Sequence, residues 1–189
     1  MIARMRIRDA LFLAVLIKLA HCGGNSYSRV DDIEDITKFY EKGASIRTFY
    51  TTMGTSKCHV DDVTYRGSGY ADFTRTFGSN AQKQSLQLRG TFMNDRYALR
   101  TVTLDAMEVK PRDARGVSNY YSYERLFYTS SNGNCGVFFV SNDKNRGGSH
   151  YELRIKGENT VDQHCLDKFK SYWSKSGKRN TYVECKDRR

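Results

Sequence analysis

The residues best placed to do chemistry lie in one short segment, Ser149 to Gly157 (SHYELRIKG). Glu152, Arg154 and Lys156 recur at every second position, so in an extended chain they share one face. Tyr151, Leu153 and Ile155 share the other. With the charged face toward solvent, this is an ordinary half-buried strand. With that face inward, one carboxylate and two cations line an interior and would select a charged ligand. Periodicity defines the two faces without labelling them.

Catalytic readings find little to work with. Past the first 22 residues the histidines are His59, His150 and His164, without an HExxH pair, and each reads as a surface or satisfied polar residue. There is no GxSxG. The glycines of RGGSH (146–150) suit a turn between strands better than a phosphate cradle. Asp61–Asp62 reads as a solvated strand end. The expectation is a protein that is not an enzyme, with no metal and no cofactor.

The elements that must position the charged segment follow from composition. Arg4, Arg6 and Arg8 precede an apolar run, Ala10 to Ile17, and small residues follow, with Ala20 and Cys22 placed for cleavage before Gly23. That is the pattern of a secretory leader over residues 1–22, too short for a membrane helix. The remaining 23–189 has the size of one domain. The leader holds four of the 31 Lys/Arg and one of the 21 Asp/Glu, leaving 27 against 20, a net +7. This favours acidic partners in general. The basic tail (Lys175, Lys178, Arg179, Lys186, Arg188, Arg189) reads as solvated, with polyanion binding a minor alternative. Neither nucleic acid nor a membrane is expected as partner, and the chain is read as a monomer. Four cysteines remain, Cys58, Cys135, Cys165 and Cys185, an even number in an exported chain. They imply two disulfides, with three pairings open.

Val30 to Lys42 has helical apolar spacing, with acidic residues at its start and Gly43 at its end. Eight segments rich in Tyr, Phe, Thr and Val then read as strands: 46–53, 59–67, 70–77, 84–92, 97–105, 120–129, 135–141 and 150–156. Lys110 to Asn119, with the only proline, reads as a loop. Val161 to Lys175 returns to helical spacing, with a stripe of Cys165, Leu166, Phe169, Tyr172 and Trp173 and Asp162 as N-cap. Helix, eight strands, helix and a short extended tail predict a mainly β domain: an antiparallel barrel or sandwich.

Cys135-Gly136-Val137, then Glu152-Leu153-Arg154, then Cys165 resembles the C-terminal signature of the tick salivary lipocalins, the histamine-binding family. There Cys-Asp-Val is followed by Glu-Leu-Trp/Tyr and another Cys. Gly136 stands where that signature has Asp, and Arg154 where it has Trp or Tyr. The broader lipocalin Gly-x-Trp near the first strand is absent. The resemblance implies an eight-stranded antiparallel lipocalin-like barrel, an N-terminal helix, and a C-terminal helix packed on the wall. It implies bridges Cys58–Cys185 and Cys135–Cys165, each worth roughly 3–4 kcal/mol by loop entropy. It also implies that Glu152, Arg154 and Lys156 face the cavity beside Gly136, Phe138 and Val140, with Tyr151, Leu153 and Ile155 outward.

A secreted salivary protein that sequesters small host mediators and so suppresses host defence is what this likeness implies. Two ligand classes follow. The family default is a biogenic amine such as histamine, held by Glu152 within a box of Tyr120, Tyr121 and Tyr123. Loss of the signature Asp and gain of Arg154 favour an anionic lipid instead, a leukotriene or fatty acid. Its carboxylate would pair with Arg154 and its tail would pack on Phe138 and Val140. A barrel filled by its own side chains, with Glu152 and Arg154 as a structural pair, is the plainer reading. Binding of a host protein through loops such as Lys110–Asn119 or Asn142–Gly148 is a further class.

Overall fold

The computed structural model describes residues 34–78, 83–95, 103–113, 119–142, 148–157, 160–175 and 181–185. The predicted leader and the start of the predicted N-terminal helix lie outside this set.

Eight antiparallel strands close into a barrel: β1 (Ser45–Thr51), β2 (His59–Arg66), β3 (Tyr70–Phe77), β4 (Gln84–Met93), β5 (Ala106–Pro111), β6 (Ser122–Thr129), β7 (Cys135–Ser141) and β8 (His150–Lys156). Consecutive strands pair in order, and β1 completes the ring by pairing with both β2 and β8. β1 is divided between neighbours. Ser45–Arg47 face β2, while Tyr50 and Thr51 pair with a short strand of the tail, β9 (Val183–Glu184).

Seven of the eight strand expectations match within a few residues. The fifth does not. Of the predicted 97–105, residues 97–102 lie outside the described set, and 103–105 precede the strand. β5 instead runs through Lys110 and Pro111, the start of the segment that the sequence suggests is a loop. Met107 and Val109 alternate inward while Glu108 and Lys110 face out, and the proline sits at the last position of the strand.

The N-terminal helix, α1, is one turn, Ile36–Phe39. Asp35 caps it, its carboxylate accepting from the Thr37 amide, so Glu34 and Asp35 stand before the helix and not within it. α1 projects Ile36, Phe39 and the following Tyr40 into one end of the barrel, where they meet Val63, Phe73, Leu126 and Phe138. Space for Phe39 exists because residue 136 is glycine. A Cβ there would lie 2.9 Å from the Phe39 ring and 3.0 Å from both Leu126 and Phe138.

The C-terminal helix, α2 (Gln163–Ser174), starts at the expected cap, Asp162. Cys165 and Phe169 are buried against Val137, Leu153 and Ile155 on the outer wall, with Leu166 and Tyr172 alongside. The two bridges are Cys58–Cys185 and Cys135–Cys165. The first ties the tail to the start of β2, and the second pins α2 to β7.

Candidate ligand-binding site in the barrel

The alternation of β8 resolves as the charged face inward. Glu152 and Arg154 are 1% and 0% exposed, while Leu153 and Ile155 pack beneath α2. Lys156, one turn of the pleat further, reaches Glu41 at 2.8 Å and lies at the α1 end.

Register brings four further charged or titratable side chains to the same interior. β2 contributes His59 and Asp61, β3 Arg75 opposite Asp61, and β6 Glu124 opposite Val140. Arg75 makes a two-pronged contact with Asp61, 2.7 Å from Nε to Oδ1 and 2.6 Å from Nη2 to Oδ2. It also donates from Nη1 to Glu124 and to the Tyr120 hydroxyl, each at 2.7 Å. Arg154 donates to Glu152 at 2.8 Å, to Glu124, and to the Tyr40 hydroxyl at 2.6 Å. Tyr40 passes its own proton toward Asp61 at 2.8 Å. The Arg154 guanidinium lies over the Phe138 ring, 4.5 Å from its centre.

Two guanidiniums therefore face three carboxylates. The sequence expectation of one carboxylate outnumbered by cations is reversed, because Asp61 and Glu124 join Glu152 in the interior. Asp61 is fully buried, not a solvated strand end; its neighbour Asp62 is the exposed one of the pair. Burial favours the neutral carboxyl, yet Arg154 and Arg75 hold Glu124 well below the usual carboxylate range. Glu152 is likewise held down against the effect of burial, chiefly by Arg154.

The carboxylates are not equally occupied. A carboxylate offers about four acceptor positions. Glu124 fills its set with Arg75 on both oxygens, Ser122 and Arg154. Asp61 and Glu152 accept fewer bonds. The His59 Nε2 atom lies between them, 3.8 Å from Asp61 Oδ2 and 4.0 Å from Glu152 Oε2. His59 Nδ1 sits 2.8 Å from the Lys57 carbonyl, which only accepts, so Nδ1 carries the hydrogen and Nε2 is an acceptor in the neutral ring, with the Thr48 hydroxyl 3.5 Å away. Burial, then Arg75, lowers the His59 pKa and so favours that neutral ring. The oxygens nearest His59, Asp61 Oδ2 and Glu152 Oε2, are each already met by two donor atoms, so the remaining acceptor capacity lies on Asp61 Oδ1 and Glu152 Oε1, which take one bond each.

The end of the barrel away from α1 carries His59, Phe77, Tyr120 and His150. Phe77 stands 5.7 Å from the His59 ring and 6.2 Å from the Tyr120 ring, centre to centre. His150 donates from Nε2 to Glu152 at 2.8 Å.

Of the predicted site residues, Glu152, Arg154, Phe138, Val140 and Tyr120 come together inside the barrel. Tyr121 and Tyr123 do not. Strand alternation sends them outward: Tyr121 contacts Glu108 and Lys110, and Tyr123 lies near Phe139 on the outer wall. His59 and His150, read as surface or satisfied residues, are buried at 6% and 4% exposure. His59, Asp61, Arg75, Glu124, His150 and Tyr40 were missed. The alternation His59-x-Asp61-x-Val63 in β2 was the available signal, since it places an acid in phase with a core valine.

Among the described residues no group of His, Cys, Asp and Glu is arranged to hold a metal ion. No curated protein resembles the chain in sequence. Among solved structures, the odorant-binding protein OBP1 aligns with a TM-score of 0.55 at 10% identity, over 80% of this chain and 94% of that one. AM182, solved as a serotonin complex, aligns at 0.52 and 18% identity, over 81% and 90%. A deswapped triple mutant of bovine odorant binding protein aligns at 0.51 and 16%, over 74% and 90%. At such identities the likeness speaks to fold alone, and that fold is the lipocalin barrel. The tick histamine binding protein family model matches residues 36–187, from the first residue of α1 to beyond the last cysteine. The chain belongs to the tick histamine-binding protein family.

Proposed function

We propose that the barrel captures a small organic amine of the biogenic class, with its ammonium group seated among Asp61, Glu152 and His59. The observation that carries this reading is the charge count of the interior, three carboxylates to two guanidiniums. An ammonium that leaves water must recover its lost hydration from fixed acceptors, or burial costs several kcal/mol. The unfilled positions on Asp61 and Glu152 supply them. An anionic lipid would add negative charge to an interior that already has a surplus, and Arg154, its expected partner, is committed to Glu124, Glu152 and Tyr40. The amine reading therefore replaces the leukotriene or fatty-acid reading drawn from sequence.

Its role is that of a carrier and not an enzyme, exported by its leader and held together outside the cell by its two bridges. Salivary capture of a host amine, with suppression of host defence, is the use its family implies. Loop-mediated binding of a host protein has no support from a specific contact, and much of both candidate loops lies outside the described residues.

Calorimetric titration with histamine, serotonin and a leukotriene tests the reading. Micromolar or tighter binding of an amine is expected, with a loss of about tenfold or more in Glu152→Gln. Tight leukotriene binding with neither amine bound would overturn it.

A further inference from the structure

His59 stands where two cations could claim the same carboxylates. Its Nε2 lies 3.8 Å from Asp61 Oδ2 and 4.0 Å from Glu152 Oε2, while Nδ1 is held by the Lys57 carbonyl at 2.8 Å. A proton taken up by the ring therefore goes to Nε2, the atom between the two acids. The ring is 6% exposed and belongs to the end of the barrel away from α1.

Every element around the ring bears on the balance. β1 presents Thr48, which is uncharged, with its hydroxyl 3.5 Å from Nε2. β2 itself supplies Asp61, and β3 supplies Arg75 together with Phe77, packed on the ring. β8 supplies Glu152 and Arg154, with His150 bonded to Glu152. Glu124 of β6 lies behind both guanidiniums. Asp61, Glu124 and Glu152 exceed Arg75 and Arg154 by one charge. That single surplus has two claimants, the ammonium of a ligand and a proton on His59. They need not share an oxygen to exclude one another. An ammonium at Asp61 Oδ1 or Glu152 Oε1 sits one carboxylate away from a cationic Nε2, in a buried setting where like charges repel strongly.

We infer that the barrel is a proton-gated carrier: a proton on His59 Nε2 and an ammonium in the site exclude each other, so acid releases the ligand and ligand binding expels the proton. This inference rests on the amine reading of the barrel and adds its regulation. Linkage makes the two effects equal and opposite. Burial first, and then Arg75, keep His59 below its ordinary 6.5, so the ring is neutral and the ligand held at neutral pH. Release follows as pH falls through the native value, with a limiting slope of about tenfold in affinity per pH unit. Glu124 and Glu152 are held below the usual carboxylate range and keep their charge over that interval, so those two acids do not produce the same effect.

Serotonin is the probe, because its ammonium stays charged and its ring does not titrate between pH 7.5 and 4.5, unlike the imidazole of histamine. Calorimetric titration of the unaltered protein should show affinity falling by about threefold or more from pH 7.5 to 4.5. In His59→Gln the ratio of the two affinities should be near unity. The ratio compares each protein with itself, so a change in absolute affinity in the variant does not affect it. A constant affinity in the unaltered protein, or a fall that persists in His59→Gln, overturns the gate and leaves the amine reading standing. If neither serotonin nor histamine binds at pH 7.5, the amine reading fails and this inference with it. A second measurement needs no variant: titration of the unaltered protein with serotonin at pH 4.5 in two buffers of different ionisation enthalpy. The heats should differ in the sense of proton release on binding, and equal heats reject the exchange.

Discussion

At the scale of single residues, the interior is a balance between burial and charge. His59 is kept below its ordinary value of 6.5 by burial, then by Arg75, with Asp61 and Glu152 acting in opposition. The unfolded chain takes up that proton at about 6.5, and the native one only at lower pH. The neutral ring therefore contributes stability that is complete above about 6.5 and is lost as pH falls through the depressed native value. Glu124 and Glu152 are held below 4.5, so their contribution is complete above about 4.5 and is lost further into acid. Thermal melts across pH 8 to 3 should decline in two stages. His59→Gln should flatten the upper stage and leave the lower one. An unchanged upper stage in that variant would show that His59 does not titrate with folding. These residues were hard to read in the sequence. Asp61 sits beside Asp62 and Glu124 within YERLFY, and neither neighbourhood distinguishes an inward acid from a solvated one. Only the pairing of β2 with β3, and of β6 with β7, decides it.

Elements show where local pattern sufficed. α2 declared itself through Asp162 and its aromatic stripe, and six of the strands are bounded by clear turn residues. β5 is hard to place because its inward set is only Met107 and Val109, with charged residues alternating and a proline at its end. Its alternation is brief, and Pro111 argued for a loop. α1 was overlong in the sequence reading because its apolar periodicity continues on both sides of a single hydrogen-bonded turn. Its importance lies in what it fills. Phe39 occupies the volume that any side chain at 136 would need. Restoring the family acid with Gly136→Asp should therefore displace α1. It should cost about 1–3 kcal/mol from crowding, and more from a fourth buried carboxylate. Chemical denaturation measures this. A variant as stable as the parent would mean that the Phe39 ring moves aside freely.

The molecule as a whole was the most legible level. A helix, a series of short strands, a second helix and four cysteines point to a stapled barrel, and residue resemblance in the last third supplied the pairing of those cysteines. Interior charge was the least legible, since it is assembled from four strands, β2, β3, β6 and β8, and a helix end distant in sequence. One feature of the closed sheet extends beyond ligand capture. β2 leaves β1 after Arg47, and β9 takes up its far end through Tyr50 and Thr51, with the Cys185 amide donating to the Phe49 carbonyl. The tail thus masks a strip of main chain that would otherwise be a bare sheet edge, ready to template pairing with another molecule. Trimming 181–189 in a Cys58→Ser background should yield dimers that grow with concentration in sedimentation, through exchange of strands between copies. Sedimentation identical to the full chain would show that the exposed rim does not self-associate. The last bridge would then be less a brace against unfolding than a clasp that keeps each molecule to itself.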